Sequence, residues 1–337
     1  MGKGPSRQRL VTTATPQRLS FAGGGTDIGD FYRLEGGAVI STAIRKYIYV
    51  TVKQHSPLFL EKYRLSYSQT EHVQSLDEIQ NDIARECLRL VPVEPPLYIS
   101  TIADLPAASG LGSSSSFAVG LLYALHILRG EDVSAGQLAE EACHVEIAVL
   151  KRPIGKQDQY AAAFGGLNHI VFHPDERVSL EPLWLGNTSL QALLDHSMLF
   201  WTGMQRDAGQ ILAEQKDNIG ERIGELRMLR DLAERCRDLM LAPFAPNRFG
   251  ALLDEGWKAK QRLSSRISND RISEWYRKAM AAGAYGGKLA GAGGGGFLYL
   301  VVPPEHQDAV RGALNDMTEV SFEYEPRGAR LLSLIEH

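Results

Sequence analysis

Pro106 to Ser116 read PAASGLGSSSS and open directly into an apolar run, Phe117 to Leu128. The first amides of a helix lack internal partners and carry the positive end of its dipole. Glycines let an anion approach that backbone, and serine hydroxyls add donors and oxygen ligands for a magnesium ion. Gly110, Leu111, Gly112, Ser113, Ser114 and Ser115 are therefore candidates for holding nucleotide phosphates. No lysine follows the glycines, so the loop is not a P-loop. Standing alone, it suits a serine N-cap on a core helix better. Two further glycine clusters turn the reading toward phosphate.

The first is RLSFAGGGTD, Arg18 to Asp27. A strand ends at a triple glycine, which leaves the main chain bare beside a ligand, and then presents Thr26 and Asp27. Gly24, Gly25, Thr26 and Asp27 suit the hydroxyls of a sugar, although a plain glycine turn fits as well. The second is KLAGAGGGG, Lys288 to Gly296. Residues 291–296 match G-x-G-x-x-G, but a strand follows and the segment before looks helical, so the dinucleotide-binding reading fails. Gly293 and Gly294 are expected beside the substrate, on a loop packed against the serine-rich one.

GKQDQYAAAFGG, Gly155 to Gly166, places Asp158 twelve residues after Glu146. Two carboxylates near a phosphate loop can divide the work, one holding magnesium and the other taking the proton of an attacking hydroxyl. Exposed helical carboxylates are common, and spacing alone does not choose. Arg206, at a strand end, could meet a substrate phosphate, with Lys46, Arg152 and Lys156 as further candidates; each also fits a solvated surface charge. The nine histidines show no metal-ligand spacing. Trp257 and Trp275 sit at helical spacing and read as core. No Ser-His-Asp order or GxSxG elbow is present.

A chain of 337 residues can hold one large domain or two of ordinary size. Its formal charge of −4 offers no field for nucleic acid, and the three cysteines form no CxxC pair. With no apolar leader and no apolar stretch long enough to span a bilayer, a cytoplasmic protein is expected. Short strands are expected at Leu10 to Ala14 and Leu19 to Ala22, a strand pair within Val39 to Lys53, and strands at Leu97 to Ile102 and Leu167 to Phe172. Helices are expected at Ser113 to Leu128 and Ser134 to Leu150. Later come a strand at Met198 to Trp201 and helices through Ile211 to Met240, Ala251 to Leu263 and Ile272 to Ala282. The ending reads strand (Phe297 to Val302), helix (Glu305 to Met317), strand (Val320 to Tyr324), like half of a ferredoxin-like layer. The class is α+β, in two domains, 1–178 and 179–337.

Taken in order, SFAGGGTD, PAASGLGSSSS and KLAGAGGGG resemble the three motifs of the GHMP small-molecule kinases across nearly the whole chain. RLSYSQTE (Arg64 to Glu71), DLPAASGLGSSSSFAVGLLYAL (Asp104 to Leu125) and PIGKQDQYAAAFGGLN (Pro153 to Asn168) are most similar to the heptose-phosphate kinases within that superfamily. The resemblance implies a two-domain GHMP kinase fold, ribosomal-S5-domain-2-like at the N-terminus and ferredoxin-like at the C-terminus, with the active site between. It implies ATP and Mg2+, with Ser114 and Glu146 as metal ligands. It makes Asp158 the catalytic carboxylate, with Arg18 assisting phosphoryl transfer and Asp27 binding the sugar. It also implies a heptose 7-phosphate acceptor phosphorylated at its anomeric hydroxyl, for nucleotide-activated heptose. Galactokinases carry Glu-His before the Thr-Asp pair, where Gly24-Gly25 stand here; that argues against galactose. Alternatives are another sugar of fucose, galactose or octose type, a silent sugar- or nucleotide-binding relative and, more remotely, a dehydrogenase. The partners expected are a sugar phosphate and ATP, with no nucleic acid and no membrane. Oligomeric state is left open, a homodimer included.

Overall fold

The computed structural model describes residues 9–56, 58–205 and 208–336. The first part of the chain runs β1 (Arg9–Ala22), α1 (Gly29–Glu35), β2 (Gly37–Gln54), β3 (Tyr63–Ser66), β4 (Thr70–Val73), α2 (Asp82–Leu90) and β5 (Leu97–Ala103). Then come α3 (Ser113–Arg129), α4 (Ala135–Cys143), α5 (Gln157–Phe164), β6 (Leu167–Phe172) and β7 (Val178–Pro182). Threonines and β-branched residues make β1 and β2 long partners, antiparallel from Leu10↔Lys53 to Ala22↔Ile40. Each was expected as two short strands. Each is one strand with an irregularity where the register passes from Pro16↔Tyr47 to Gln17↔Ile44. A proline cannot donate to the ladder, and a bulge accommodates it without reversing the chain.

The second part holds α6 (Asn187–Asp195), β8 (Ser197–Trp201), α7 (Ala208–Asp217), α8 (Ile223–Leu241), α9 (Pro246–Gln261) and α10 (Asp270–Ala281). It continues with β9 (Gly286–Leu289), β10 (Phe297–Val301), α11 (Gln307–Ala313) and β11 (Thr318–Glu319), and β12 (Arg330–Glu336) ends the described chain. Its antiparallel sheet runs β11-β8-β10-β9, the strand order of a ferredoxin-like layer. The long helix expected through Ile211 to Met240 is divided into α7 and α8, with Gly220 between them. The helix expected before the third glycine run is strand β9. Gly286 and Gly287 are weak helix formers, and their bare Cα atoms lie against the carbonyls of Gly250 and Tyr299, where a Cβ would not fit. The dinucleotide reading still fails, because β10 and not a helix follows the glycines.

The larger sheet runs β12-β1-β2-β5-β3-β4, with β6 also on β2 and β7 outside β6. β7 and β12 therefore belong to the first sheet, and a boundary at 178/179 does not match where the sheets divide. One face of that sheet carries α3 and α5; α8 from the second part packs on β1 and β2. Burial on both faces explains why β1 is almost wholly buried from Thr13 onward. Phe21 on β1 meets the ring of Phe249 edge-on at 5.2 Å and lies 5.5 Å from that of Tyr299. The two sheets thus share one apolar core, which also takes in Leu19, Ile40, Ile44, Leu229 and Leu232. All three cysteines are buried thiols. Among the described residues no helix is long and apolar enough to cross a membrane.

This shared core presses the β9–β10 loop onto the loop before α3. A Cβ on Gly291 (φ +68°) would sit 2.6 Å from Gly110 Cα, and one on Gly110 would sit 2.7 Å from the Ala290 carbonyl oxygen. Gly291→Ala should destabilise the protein by about 2–4 kcal/mol, from the overlap and the left-handed backbone together. Urea unfolding measures this, and an unchanged midpoint would mean the loops do not interlock.

Candidate active site

Arg18 stands mid-way along β1 with its guanidinium buried. Its Nε and Nη2 donate to the two carboxylate oxygens of Asp158, each at 2.7 Å, and Nη1 donates to the Gly110 carbonyl at 2.6 Å. The Arg18 amide also donates to the Leu111 carbonyl. Asp158 lies in the first turn of α5, so one side chain ties strand, serine-rich loop and helix together. The fork geometry of guanidinium on carboxylate makes this a directional bond as well as a charge pair.

Gly112, left-handed at φ +80°, caps α3, and the helix's first turn is Ser113, Ser114 and Ser115. Glu146 lies fully buried behind them, accepting from Ser114 Oγ at 2.8 Å, Ser115 Oγ at 2.7 Å and Gln159 Nε2 at 2.7 Å. A π-helical turn, His144–Val149, carries it in continuation of α4. Such turns are rare and frequent at functional sites. Burial pushes the Glu146 carboxyl up, and the hydrogen bonds from Ser115 and Ser114 pull against that shift.

Asp27 is buried as well, accepting from the Gly25 amide at 2.9 Å and the Gln157 amide at 3.2 Å. A Cβ on Gly155 would overlap its carboxylate, which explains the glycine there. Burial, then the negative charge of Asp158, holds the Asp27 carboxyl above the usual range. From α9, Lys260 reaches the same wall and donates to the Gly291 carbonyl at 2.5 Å. Burial lowers its amine to about 8. Lys288 of β9 is also buried and donates to the Phe21 carbonyl.

Arg18, Asp27, Ser113 to Ser115, Asp158, Lys260 and Lys288 line one cavity of about 500 Å3, while Glu146 lies behind its wall. Ser20 Oγ, Ser109 Oγ and Gln157 Oε1, from three of its lining residues, are buried with no hydrogen-bond partner among the described residues. Polar atoms left this way are costly unless a ligand or solvent meets them. The cavity thus joins four cations (Arg18, Arg152, Lys260 and Lys288), two carboxylates and a helix N-terminus between two glycine loops.

The family model for the GHMP kinases N terminal domain matches residues 76–166, and that for the GHMP kinases C terminal matches 240–319. The D-glycero-alpha-D-manno-heptose 7-phosphate kinase of Campylobacter jejuni is 32% identical over 88% of this chain and 90% of its own length. This chain belongs to the GHMP kinase family. Two further relatives of the kinase are informative. The L-fucokinase/L-fucose-1-P guanylyltransferase of Bacteroides fragilis is 26% identical over 90% of this chain and 35% of its own. A D-glycero-D-manno-heptose 1-phosphate kinase from Bacteroides thetaiotaomicron superposes with a TM-score of 0.79 at 25% identity, covering 96% and 99% of the two chains. The protein is an ATP-dependent sugar kinase of the two-domain GHMP kinase fold.

Arg18, Gly24, Gly25, Asp27, Gly110, Gly112, Ser113, Ser114, Ser115 and Asp158 all line the kinase's cavity. Thr26 and Leu111 do not. The Thr26 hydroxyl is spent on the Gly23 and Ala38 carbonyls, and the Leu111 side chain is core. Gly293 and Gly294 lie against Ile267, whose carbonyl accepts from the Gly294 amide; Gly291 and Ala292 reach the cavity in their place. Arg206 falls outside the described residues. Lys46 lines no described cavity, whereas Arg152 does. His169 is buried between Glu181 and Glu234, a structural setting. Lys260 and Lys288 escaped the sequence reading. An unaligned lysine on an amphipathic helix carries no signal, although Lys288 heads the third glycine motif.

A carboxyl raised by burial favours folding most below its unfolded value, and loses that contribution as pH rises through the folded one. The stability of wild type relative to Glu146→Gln should therefore fall between pH 5 and pH 8. Melting temperatures across that range test it, and a rising difference would reverse the sign assigned to Glu146.

Proposed function

We propose that this kinase transfers the γ-phosphoryl group of ATP to the anomeric hydroxyl of D-glycero-D-manno-heptose 7-phosphate, giving the 1,7-bisphosphate. The observation that carries the reading is the Arg18–Asp158 pair, set in a cavity between the serine-rich loop and the sugar-facing Gly24-Gly25-Asp27 corner. The likeness to the heptose 7-phosphate kinase of Campylobacter jejuni supports the heptose.

The free amides of the α3 first turn and its glycine loop suit the triphosphate. Asp158, fixed in direction by Arg18, accepts the anomeric proton as that oxygen bonds to the γ-phosphorus and the bond to the ADP oxygen breaks. Arg18 and Lys260 supply positive charge beside the transferring group. A loose transition state needs alignment and charge more than a strong base. Among the described residues no cluster of three or more His, Cys, Asp or Glu side chains exists, so a cation here would have few protein ligands. Magnesium fits that donor set, because it binds through one or two carboxylates together with phosphate oxygens. Ser114, at the cavity wall, and Glu146 behind it would hold it. When bound, it would supply positive charge that offsets the charge of the phosphates.

Asp158→Asn is expected to lower turnover by about 10²–10⁴-fold while ATP binding persists. A coupled ADP-release assay beside an ATP titration tests this, and retained turnover would remove Asp158 from the mechanism. In a panel of phosphorylated and free sugars, turnover of free sugars alone would overturn the heptose phosphate. Because the Lys260 amine loses its proton as pH rises through about 8, kcat/KM should fall over that range. Lys260→Arg should move the fall to higher pH, and an unmoved limb would assign it to another group.

A further inference from the structure

A second cavity, of about 120 Å3, shares Asp27, Ile28 and the segment Arg152 to Ile154 with the first. Arg33, Lys151, Arg152, Lys156 and Lys216 line it, against the two carboxylates Asp27 and Asp30. Five cations to two anions is a marked local excess in a chain of formal charge −4. Of these five cations only Arg152 also lines the first cavity, so transfer from ATP makes no call on the other four. Four of the five are already met: Arg33 and Lys156 pair with Glu176 at 2.5 and 2.8 Å, Arg152 with Asp82 at 2.9 Å and with Glu146 at 3.4 Å, and Lys216 with Asp30 at 3.2 Å. Lys151 has no hydrogen bond or ion pair among the described residues, and it is exposed.

Its backbone adds a second, independent observation. Lys151 follows Leu150, the C-cap of the π-helical turn, and takes a left-handed φ of +54°. Glycine is the usual residue at that position because it alone enters this region without strain. A lysine there costs of order 1–2 kcal/mol. Strain of this kind persists where the side chain is used.

We propose that this annex binds the phosphate monoester already carried by the acceptor, at the end remote from the reacting hydroxyl, with Lys151 and Lys216 as its adjustable ligands. The inference rests on the reading of the acceptor as a sugar phosphate and adds where selection for it occurs. Asp27 lies on the wall common to both cavities, so a sugar held there points one end toward Asp158 and the other into the annex. Lys151 comes from the first part of the chain and Lys216 from the second, so the phosphate would bridge them. A free sugar would leave Lys151 without a partner and Lys216 on Asp30.

The test uses the full chain as wild type, Lys151→Gly, Lys151→Arg and Lys151→Gly with Lys216→Ala. Lys151→Gly restores the ordinary helix-ending residue and should raise the melting temperature. It should nevertheless raise KM for heptose 7-phosphate about tenfold, with kcat and KM for ATP within twofold. The double variant should exceed this, Lys151→Arg should recover most of the loss, and turnover of unphosphorylated heptose should not change. If wild type uses heptose 7-phosphate and the double variant has the same KM, the annex is overturned and the proposed function stands. If wild type does not use it, the proposed function falls and calorimetry with mannose 6-phosphate decides the annex. Wild-type binding that the double variant loses supports it; no wild-type binding, or equal binding by both, overturns it.

Discussion

A buried guanidinium holds this active site together. Arg18 sits on a strand covered on both faces, where an unpaired charge would be expelled. It is tolerated because its donors are occupied by the Asp158 carboxylate and the Gly110 carbonyl. The same bonds fix the direction of the reacting carboxylate and the height of the phosphate loop above it. Asp27 lies close enough for its own ionisation to feel Asp158, so the cation also keeps two carboxylates compatible in one cavity. One side chain thus touches β1, α5 and the serine-rich loop at once, beside the bonds from Gln17 to Ser113 and from Ser116 to Pro16.

The rest of the architecture serves that junction. Phe21, three residues beyond Arg18, packs between rings of the second layer, and the core it joins brings Lys260, Lys288 and the third glycine loop to the cavity. Glycines at 110 and 291 let two backbones meet at a separation no side chain would permit. Glu146 shows the opposite economy. A fully buried carboxylate is held in readiness by two serine hydroxyls and a glutamine amide, on a helical turn wound one residue too wide.

Much of this was legible in the chain. The order of three glycine motifs fixed the family and the helix behind Ser113, and most cavity-lining residues came from those motifs. What escaped was tertiary. Pro16 lies in the gap between the two short strands expected there, because proline often ends a strand; only the partner strand shows the register slip that absorbs it. Gly286 and Gly287 became a strand because neighbouring carbonyls crowd them, a fact no local window contains. Thr26 read as a sugar ligand from its place beside Asp27, but its hydroxyl closes a turn on Ala38. Lys260 lies more than a hundred residues from Asp158, and nothing but folding joins them.

The return of β12 to the edge of β1 has a consequence for how the chain is made. Arg9 pairs with Glu336, so one flank of β1 waits, its amides and carbonyls bare, until β12 has been made more than three hundred residues later. The ferredoxin-like layer is in effect spliced into the sheet that precedes it, and closing so large a loop is entropically slow. Until β12 arrives, β1 carries an open edge on the side away from β2.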